Sequence, residues 1–467
     1  MDDVAAPLVS MRLTRANELA ELIGATAALA RELVSREEML PGGAARDPER
    51  LAGTLPLALP DEGLNLPEVL DRIRAVLLAT PSSSSWRFLS QLFGGREPAA
   101  TAAAMLTPIA SISMATFKAA GAQILVERTL LEHMARKVGF EGGEGTFTPG
   151  GSFANFLALV LARGVADPDA RERGPGGPRL VAYTSAEGHY SLQKNAGLAG
   201  LGRRSVRAIQ VDERGRMSVP ALLEAIEADR RARHRPFLVN ATAGTTVRGA
   251  FDPIARIAAV SRGEGLWLHV DGAFGGTLLL SPEHRHRLAG CERADSFAWD
   301  PHKMMGIPLQ SSVLLVSRPG LLAACLDENA EYLFQSDPDE LNPGRRSLQC
   351  GRPNDALKLW AAWQRLGDRG WAERVGRQVA LARRAARLVD ADPELLLVEE
   401  PASVNVCFEV RGRASDDVCE RLDRDGRLKI GYGIVAGRRV IRLVCVNPDL
   451  GEGPSPGRER HRPASFS

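Results

Sequence analysis

The 467-residue chain has no CxxC pair. Its six cysteines, Cys291, Cys325, Cys350, Cys407, Cys419 and Cys445, are scattered. That spacing fits free thiols in a reducing cytosol better than a disulfide framework or a zinc site, and a cytoplasmic protein is expected. The eight histidines include His284-x-His286 but no HExxH pattern, so no metal site is expected. No 18 consecutive residues are apolar, which argues against a membrane span. The start, Met1-Asp2-Asp3-Val4, is acidic and lacks a long apolar core, so it does not read as a signal peptide. An excess of one charge is also missing. The net charge of +2 gives no support for a nucleic-acid or membrane partner. With 44% hydrophobic and 25% charged residues, the composition is that of an ordinary soluble globular protein, and the length asks for two or three domains.

What is present is a change of pattern along the chain. Residues 13–37 carry Leu13, Leu19, Leu22, Ile23, Leu29 and Leu33 at helical spacing. Residues 41–65, rich in Gly, Pro and Asp, read as a connector, and Pro67 to Leu78 as a second helix. A serine-rich loop, 82–85, precedes Trp86-Arg87-Phe88-Leu89-Ser90-Gln91-Leu92. From about Ala99, helical stretches such as Leu125 to Val138 alternate with short apolar runs at 179–184, 236–240, 266–270 and 312–316. This alternation predicts an α/β domain with a mostly parallel sheet and helices on both faces. Residues 353–390 predict one or two long helices broken at Gly367-Asp368-Arg369-Gly370. Residues 395–450, with strand candidates Ser403 to Val410 and Arg439 to Val446 around a helix near 415–427, predict a small α+β domain. The division expected is a helical segment 1–98, a large domain 99–352, a small domain 353–450, and a Gly/Pro/Ser/Arg-rich tail 451–467 expected to be disordered.

Ligands on such sheets bind at the carboxyl ends of the strands. Polar clusters follow those ends here: Ser185 to Ser191, Thr242 to Thr246, and Asp271-Gly272-Ala273. Downstream stands Asp300-Pro301-His302-Lys303, with Asp271 lying 32 positions before Lys303. A lysine amine can form a Schiff base with the aldehyde of pyridoxal 5'-phosphate, and an aspartate can hold a proton on its pyridine nitrogen, making the ring an electron sink. Taken singly, such a lysine is more often an exposed surface residue and such an aspartate a strand-end carboxylate. The clusters at several strand ends reverse that reading. Gly150-Gly151-Ser152 opens a helix, where amides, hydroxyl and dipole can meet an anion, although a Gly-Gly-Ser start is often only a cap.

These motifs resemble the group II pyridoxal-phosphate-dependent amino-acid decarboxylases, and the resemblance runs from about Ser82 to Pro448. It is carried by Thr148-Pro149-Gly150-Gly151-Ser152, Gly188-His189-Tyr190-Ser191 with Lys194, Asn240 to Thr246, His269-Val270-Asp271, and Asp300 to Gly306. Tyr332-Leu333-Phe334-Gln335 and Leu348-Gln349-Cys350-Gly351-Arg352 look closest to the glutamate and cysteine-sulfinate branch. The resemblance implies a fold-type I enzyme of the aspartate-aminotransferase-like kind: a large domain with a seven-stranded, mostly parallel sheet, a small C-terminal domain, and a homodimer with active sites at its interface. It implies Lys303 as the Schiff-base lysine, Asp271 as partner of the pyridine nitrogen, His189 stacked on the ring, and Ala273 on the opposite face. Thr246 falls near the ring edge, and Gly151, Ser152 and His302 around the phosphate. Lys303, His189 and Asp271 are the catalytic set that the resemblance implies.

Gln91 and Arg442 match substrate-binding positions and favour an acidic substrate: glutamate, aspartate or cysteine sulfinate. The expected reaction is decarboxylation through a Lys303 Schiff base and a quinonoid intermediate. Alternatives are a basic or aromatic substrate, decarboxylation coupled to oxidative deamination, or cofactor binding without turnover. Three departures from the family bear on this choice. Ser85-Trp86 stands where the family has His-Pro. The loop after Gln335 is short and holds no tyrosine between 336 and 347. A Pro/Arg-rich tail follows Gly453-Pro454 where the family has a last helix.

Overall fold

The structure is a computed structural model that describes residues 2–37, 47–328, 330, 332–334 and 338–450. The tail 451–467, residues 335–337 of the altered loop and the first part of the expected connector lie outside the described residues. The chain divides into two compact units, Met1–Leu89 with Asp417–Ile430, and Ser90–Asp416 with Gly431–Ser467.

The first unit opens with the helices α1 (Asp2–Arg36), α2 (Pro48–Thr54) and α3 (Leu66–Ala79). The connector expected at 41–65 is therefore partly helical. Asp47 caps α2 by accepting from the Glu49 amide at 3.0 Å, and Pro48 supplies a preset φ at the first position. α3 starts on a reciprocal cap. Asn65 accepts from the Glu68 amide at 3.0 Å, and Glu68 accepts from the Asn65 amide at 3.1 Å. A forked pair from Arg74 to Glu32, with Nε to Oε2 at 2.8 Å, ties α3 to α1.

The second unit opens with α4 (Pro98–Ala110), α5 (Phe117–Ala120) and α6 (Ala122–Val138). Seven strands then form one sheet among the described residues: β1 (Glu144–Thr148), β2 (Leu180–Ser185), β3 (Val206–Ile209), β4 (Arg235–Thr242), β5 (Trp267–Asp271), β6 (Ser296–Trp299) and β7 (Ser312–Val316). Their order is β1-β7-β6-β5-β4-β2-β3. β3, β2, β4, β5 and β6 are parallel, as the alternating pattern predicts. The run at 312–316, read as a further parallel strand, is antiparallel to both neighbours. Only 12 residues separate it from β6, too short for a helical crossover. β1 and β3 had no sequence signal of their own, being five and four residues long.

Successive side chains of the inner strands face opposite cores. Val181, Tyr183, Val239, Leu268, Val270, Phe297 and Val313 point to one, and Leu180, Ala182, Leu238, Trp267, Ala298 and Leu314 to the other. The second core is closed by α7 (Gly151–Ala166), next to the short α8 (Ala170–Arg173), with α9 (Ser191–Leu198). The first is closed by α6, α10 (Val219–Arg231) and α11 (Ile254–Glu264). α12 (Leu321–Leu326) joins the second core and α13 (Ala356–Ala391) the first. α13 carries the predicted break: Gly367 adopts φ 59°, ψ −179°. Burial on both faces explains why these strands read as continuous apolar runs.

A second, antiparallel sheet has the order β10-β11-β9-β8, from β8 (Leu395–Leu397), β9 (Asn405–Val410), β10 (Gly431–Val435) and β11 (Arg438–Val444). α14 (Ser415–Arg424) lies between β9 and β10 in the chain. Two of these strands, β9 and β11, were legible beforehand. The fold positions the site through one topological fact. β1 and β6 both run antiparallel to β7, so they share a direction, and the ends of β1, β6, β5, β4 and β2 all meet at one edge.

Candidate active site

A cavity of about 320 Å³ opens at that edge. Thr148, the last residue of β1, hands the chain to Gly150, which adopts φ +118°, a conformation open to glycine. The next residue, Gly151, starts α7. A Cβ there would come within 2.5 Å of Asp300 Oδ2, so only glycine allows α7 to begin this close to the end of β6. No side chain caps α7. Its first N–H groups lack intrahelical partners and carry the positive end of the dipole, and Gly151 and Ser152 bring them to the cavity wall.

Behind the cavity a hydrogen-bonded chain crosses the sheet and ends on Asp271. Trp267 Nε1 donates to Ser296 Oγ at 2.9 Å, and Ser296 Oγ lies 2.8 Å from His269 Nδ1. His269 Nε2 lies 2.9 Å from Asn155 Oδ1, and Asn155 Nδ2 donates to Asp271 Oδ2 at 2.8 Å. Asn155 Oδ1 can only accept, so His269 carries its proton on Nε2 and receives the Ser296 hydroxyl on Nδ1. Complete burial pushes this imidazole down to about 4, which keeps it neutral. The other Asp271 oxygen accepts from the Ala273 amide at 3.1 Å. The carboxylate is thus fixed in rotation with one edge to the cavity.

The third wall is the turn after β6. Lys303 Nζ lies 3.1 Å from Asp300 Oδ2, and Asp300 is 1% exposed. Asp300 Oδ1 accepts from Ser312 Oγ at 2.5 Å, and Ser312 Oγ accepts from Thr148 Oγ1 at 3.0 Å. Burial alone would raise the Asp300 carboxyl. Lys303, His302 and the Ser312 hydroxyl outweigh burial and hold it below the ordinary range. His302 Nδ1 donates to the Ser311 carbonyl at 2.6 Å, and burial lowers its pKa. The backbone beyond Lys303 is gripped from outside. Gln378 Nε2 donates to the Met304 carbonyl at 3.0 Å, Arg374 to Met305 at 3.3 Å, and the Glu97 amide to Gly306 at 2.9 Å.

His189 closes the site from the end of β2. Its Nδ1 accepts from the Ser191 amide at 3.3 Å, so the neutral ring holds its proton on Nε2, and burial lowers its pKa despite nearby Asp271. Tyr190 leans on it, with ring centroids 4.2 Å apart. Thr246 and Ala273 also line the cavity, and Thr242 Oγ1 beside them is buried without a hydrogen-bond partner.

The residues named in the sequence for catalysis and cofactor binding therefore share one cavity. The two substrate candidates do not line it: Gln91 is exposed and its neighbour Leu92 forms the wall. Arg442, 9% exposed, donates through Nη1 to the Thr246 carbonyl at 2.9 Å and through Nη2 to the Ser90 carbonyl. Its Nε has no partner, and burial lowers its pKa. Asn155, Asp300 and Tyr190 were not among the expected site residues. A signal existed for Asn155, the one amide in the apolar run Phe153 to Ala162.

An amine and a fixed carboxylate at neighbouring strand ends, facing an uncapped helix start, define a fold-type I site for an aldehyde cofactor bearing a phosphate. The chain belongs to the pyridoxal-dependent decarboxylase family: the model for the pyridoxal-dependent decarboxylase conserved domain matches residues 48–411. Human cysteine sulfinic acid decarboxylase is 41% identical over 87% of this chain and 87% of its own. An acidic amino acid decarboxylase of Bos taurus is 40% identical over 87% of this chain and 82% of its own. Among solved structures, mouse CSAD superposes with a TM-score of 0.85 at 37% identity, covering 92% of this chain and 96% of that one. Oryza sativa TDC with PLP and tryptamine gives 0.86 at 26% identity, covering 93% and 94%. The protein is a pyridoxal-phosphate-dependent amino-acid decarboxylase.

Proposed function

We propose that this enzyme decarboxylates an acidic L-amino acid (glutamate, aspartate or cysteine sulfinate) in the cavity bounded by Lys303, Asp271 and His189. The observation that carries the reading of the site is a pair of anchors, the buried Asp271 and the half-buried Lys303. Lys303 is held at the end of β6 and Asp271 at the end of β5, on either side of one cavity. The donor set fits the cofactor. The uncapped start of α7 at Gly151 and Ser152 would receive the phosphate, with His302 lining the same cavity, and the orphaned Thr242 hydroxyl would offer a further polar contact. Asp271, held by Asn155 and the Ala273 amide, would keep a proton on the ring nitrogen, and His189, Ala273 and Thr246 would hold the ring. Lys303 Nζ is the attachment point. When bound, pyridoxal phosphate accepts the electron pair released by the bond to the departing carboxylate. His189 Nε2 and Lys303 Nζ are the groups that return a proton to the substrate carbon.

The acidic substrate is supported by the names of the relatives and by Arg442. A buried guanidinium with no carboxylate partner among the described residues, held by two carbonyls beside Thr246, is an unbalanced positive charge against the site wall. Exposed apolar side chains support the expected homodimer: Leu66, Val69 and Ile73 on α3, and separately Met105, Leu106 and Ile109 on α4. The test is CO2 release from the standard amino acids and cysteine sulfinate, with Lys303→Ala as control. Turnover is expected with an acidic substrate and loss of both visible cofactor colour and turnover in the variant. Turnover only with aromatic or basic substrates would overturn the substrate assignment; an active Lys303→Ala would overturn the site.

A further inference from the structure

The second unit holds another cavity, separate from the catalytic one. It has a volume of about 800 Å³ and is walled by the segment after β3, the start of α11, the turn 285–289 and residues 399–402. Its apolar floor is Phe251 with Pro253, Ile254 and Ala289. Its polar rim is strongly cationic. Arg214, Arg256 and Arg287 line it from three different elements, and among the described residues none of the three has an ion pair.

The acidic groups of the lining do not balance them. Glu399 is engaged by Arg248 at 2.6 Å through both oxygens. Asp252 is 2% exposed and accepts the amides of Met217 at 2.6 Å and Thr242 at 2.7 Å, and burial raises it to about 7. Glu400 alone is left at the edge. Arg287 is the telling residue. Burial lowers its pKa, and its charged neighbours are a second guanidinium, Arg383, and Glu283, which is shared with Arg383 at 3.6 Å. A half-buried guanidinium that faces a second positive charge is costly unless an anion joins it.

We propose that this cavity binds a small phosphate-bearing molecule. Three guanidiniums lining one cavity from separate elements suit the several oxygens and multiple charge of a phosphate or diphosphate better than one carboxylate. The volume and the apolar floor leave room for an attached organic group. The site adjoins the catalytic cavity through two residues. Asp252 lines this cavity and holds the amide of Thr242, which lines the other. Arg248 lines it and pairs with Glu187 at 3.1 Å, two residues before His189. The proposal does not rest on the substrate assigned above.

Inorganic pyrophosphate is the probe, titrated calorimetrically into cofactor-saturated protein so that the start of α7 is already occupied. One site per chain is expected, weakening with added salt. Arg256→Ala with Arg287→Ala should weaken binding at least tenfold, with the visible cofactor band and the melting temperature unchanged. If the double variant is destabilised, the exposed Arg256→Glu alone should produce the same loss. Absence of binding, binding unaltered in these variants, or binding seen only before cofactor saturation would each overturn the proposal.

Discussion

Asp300 and Asn155 do the least conspicuous work at the site. Asp300 places a buried carboxylate 3.1 Å from the lysine amine. Asp300→Asn removes that charge beside the attachment point, and weaker cofactor binding by fluorescence titration is expected while the fold is retained. Unchanged binding would remove Asp300 from this role. Asn155→Leu leaves a His269 N–H and an Asp271 oxygen unsatisfied, each costing about 1–3 kcal/mol. A lower melting temperature and weaker cofactor binding by fluorescence titration are expected together. A fall in stability without a change in cofactor binding would mean that Asp271 holds its position unaided.

At the scale of elements, the site depends on how strands and helices are tied to one another. Gln378 on α13 donates to the carbonyls of Met304 and Val446, joining the lysine turn to the chain beyond β11. Gln378→Leu orphans both carbonyls, and a melting temperature several degrees lower is expected by calorimetry. His269 links β5 to β6 and α7. Its folded pKa of about 4 lies below the ordinary 6.5, so the unfolded chain takes up the proton first as pH falls. The stability tied to its neutral form is complete above about 6.5 and lost as pH drops towards 4. Asp252 acts with the opposite sign. Raised from 3.8 to about 7, it contributes stability that is full below 3.8 and fades as pH rises through 7. His269→Gln should therefore lose less melting temperature than the parent between pH 7 and pH 5. An equal loss would assign the acid sensitivity to other groups.

At the scale of the whole molecule, the exposed apolar face of α4 is the point to test. Leu106 is 61% exposed between Met105 and Ile109. Burying such side chains in an interface is worth roughly 1.5–3 kcal/mol each. Sedimentation of the parent is expected to give a dimer, and Leu106→Glu a larger monomer fraction; a monomeric parent would exclude the homodimer.

Much of this molecule is decided locally. The α/β alternation, the break at Gly367, the helix opening at Gly151 and the motifs at the strand ends were legible because periodicity, glycine placement and residue chemistry act over a few neighbours. The polar clusters could be placed at strand ends for the same reason, whereas the roles of His189, Ala273, Thr246, Gly151, Ser152 and His302 came with the family resemblance. The direction of β7, the strands β1 and β3, and the outer strands β8 and β10 were not legible. Short segments gain strand geometry from partners far away in the chain. The same holds for Asn155 beneath Asp271 and for Asp300 against Lys303, where an ordinary amide and carboxylate become parts of a site once the sheet removes them from water. In the sequence, Asp271 and Lys303 made pyridoxal chemistry possible, and the polar clusters at the strand ends made it the favoured reading. What only the tertiary structure decided is which charges are paired and which are not: Asp300 is satisfied by lysine and serine, whereas among the described residues Arg442 and Arg287 are left with no carboxylate of their own, because burial and proximity across elements are properties of the packed chain.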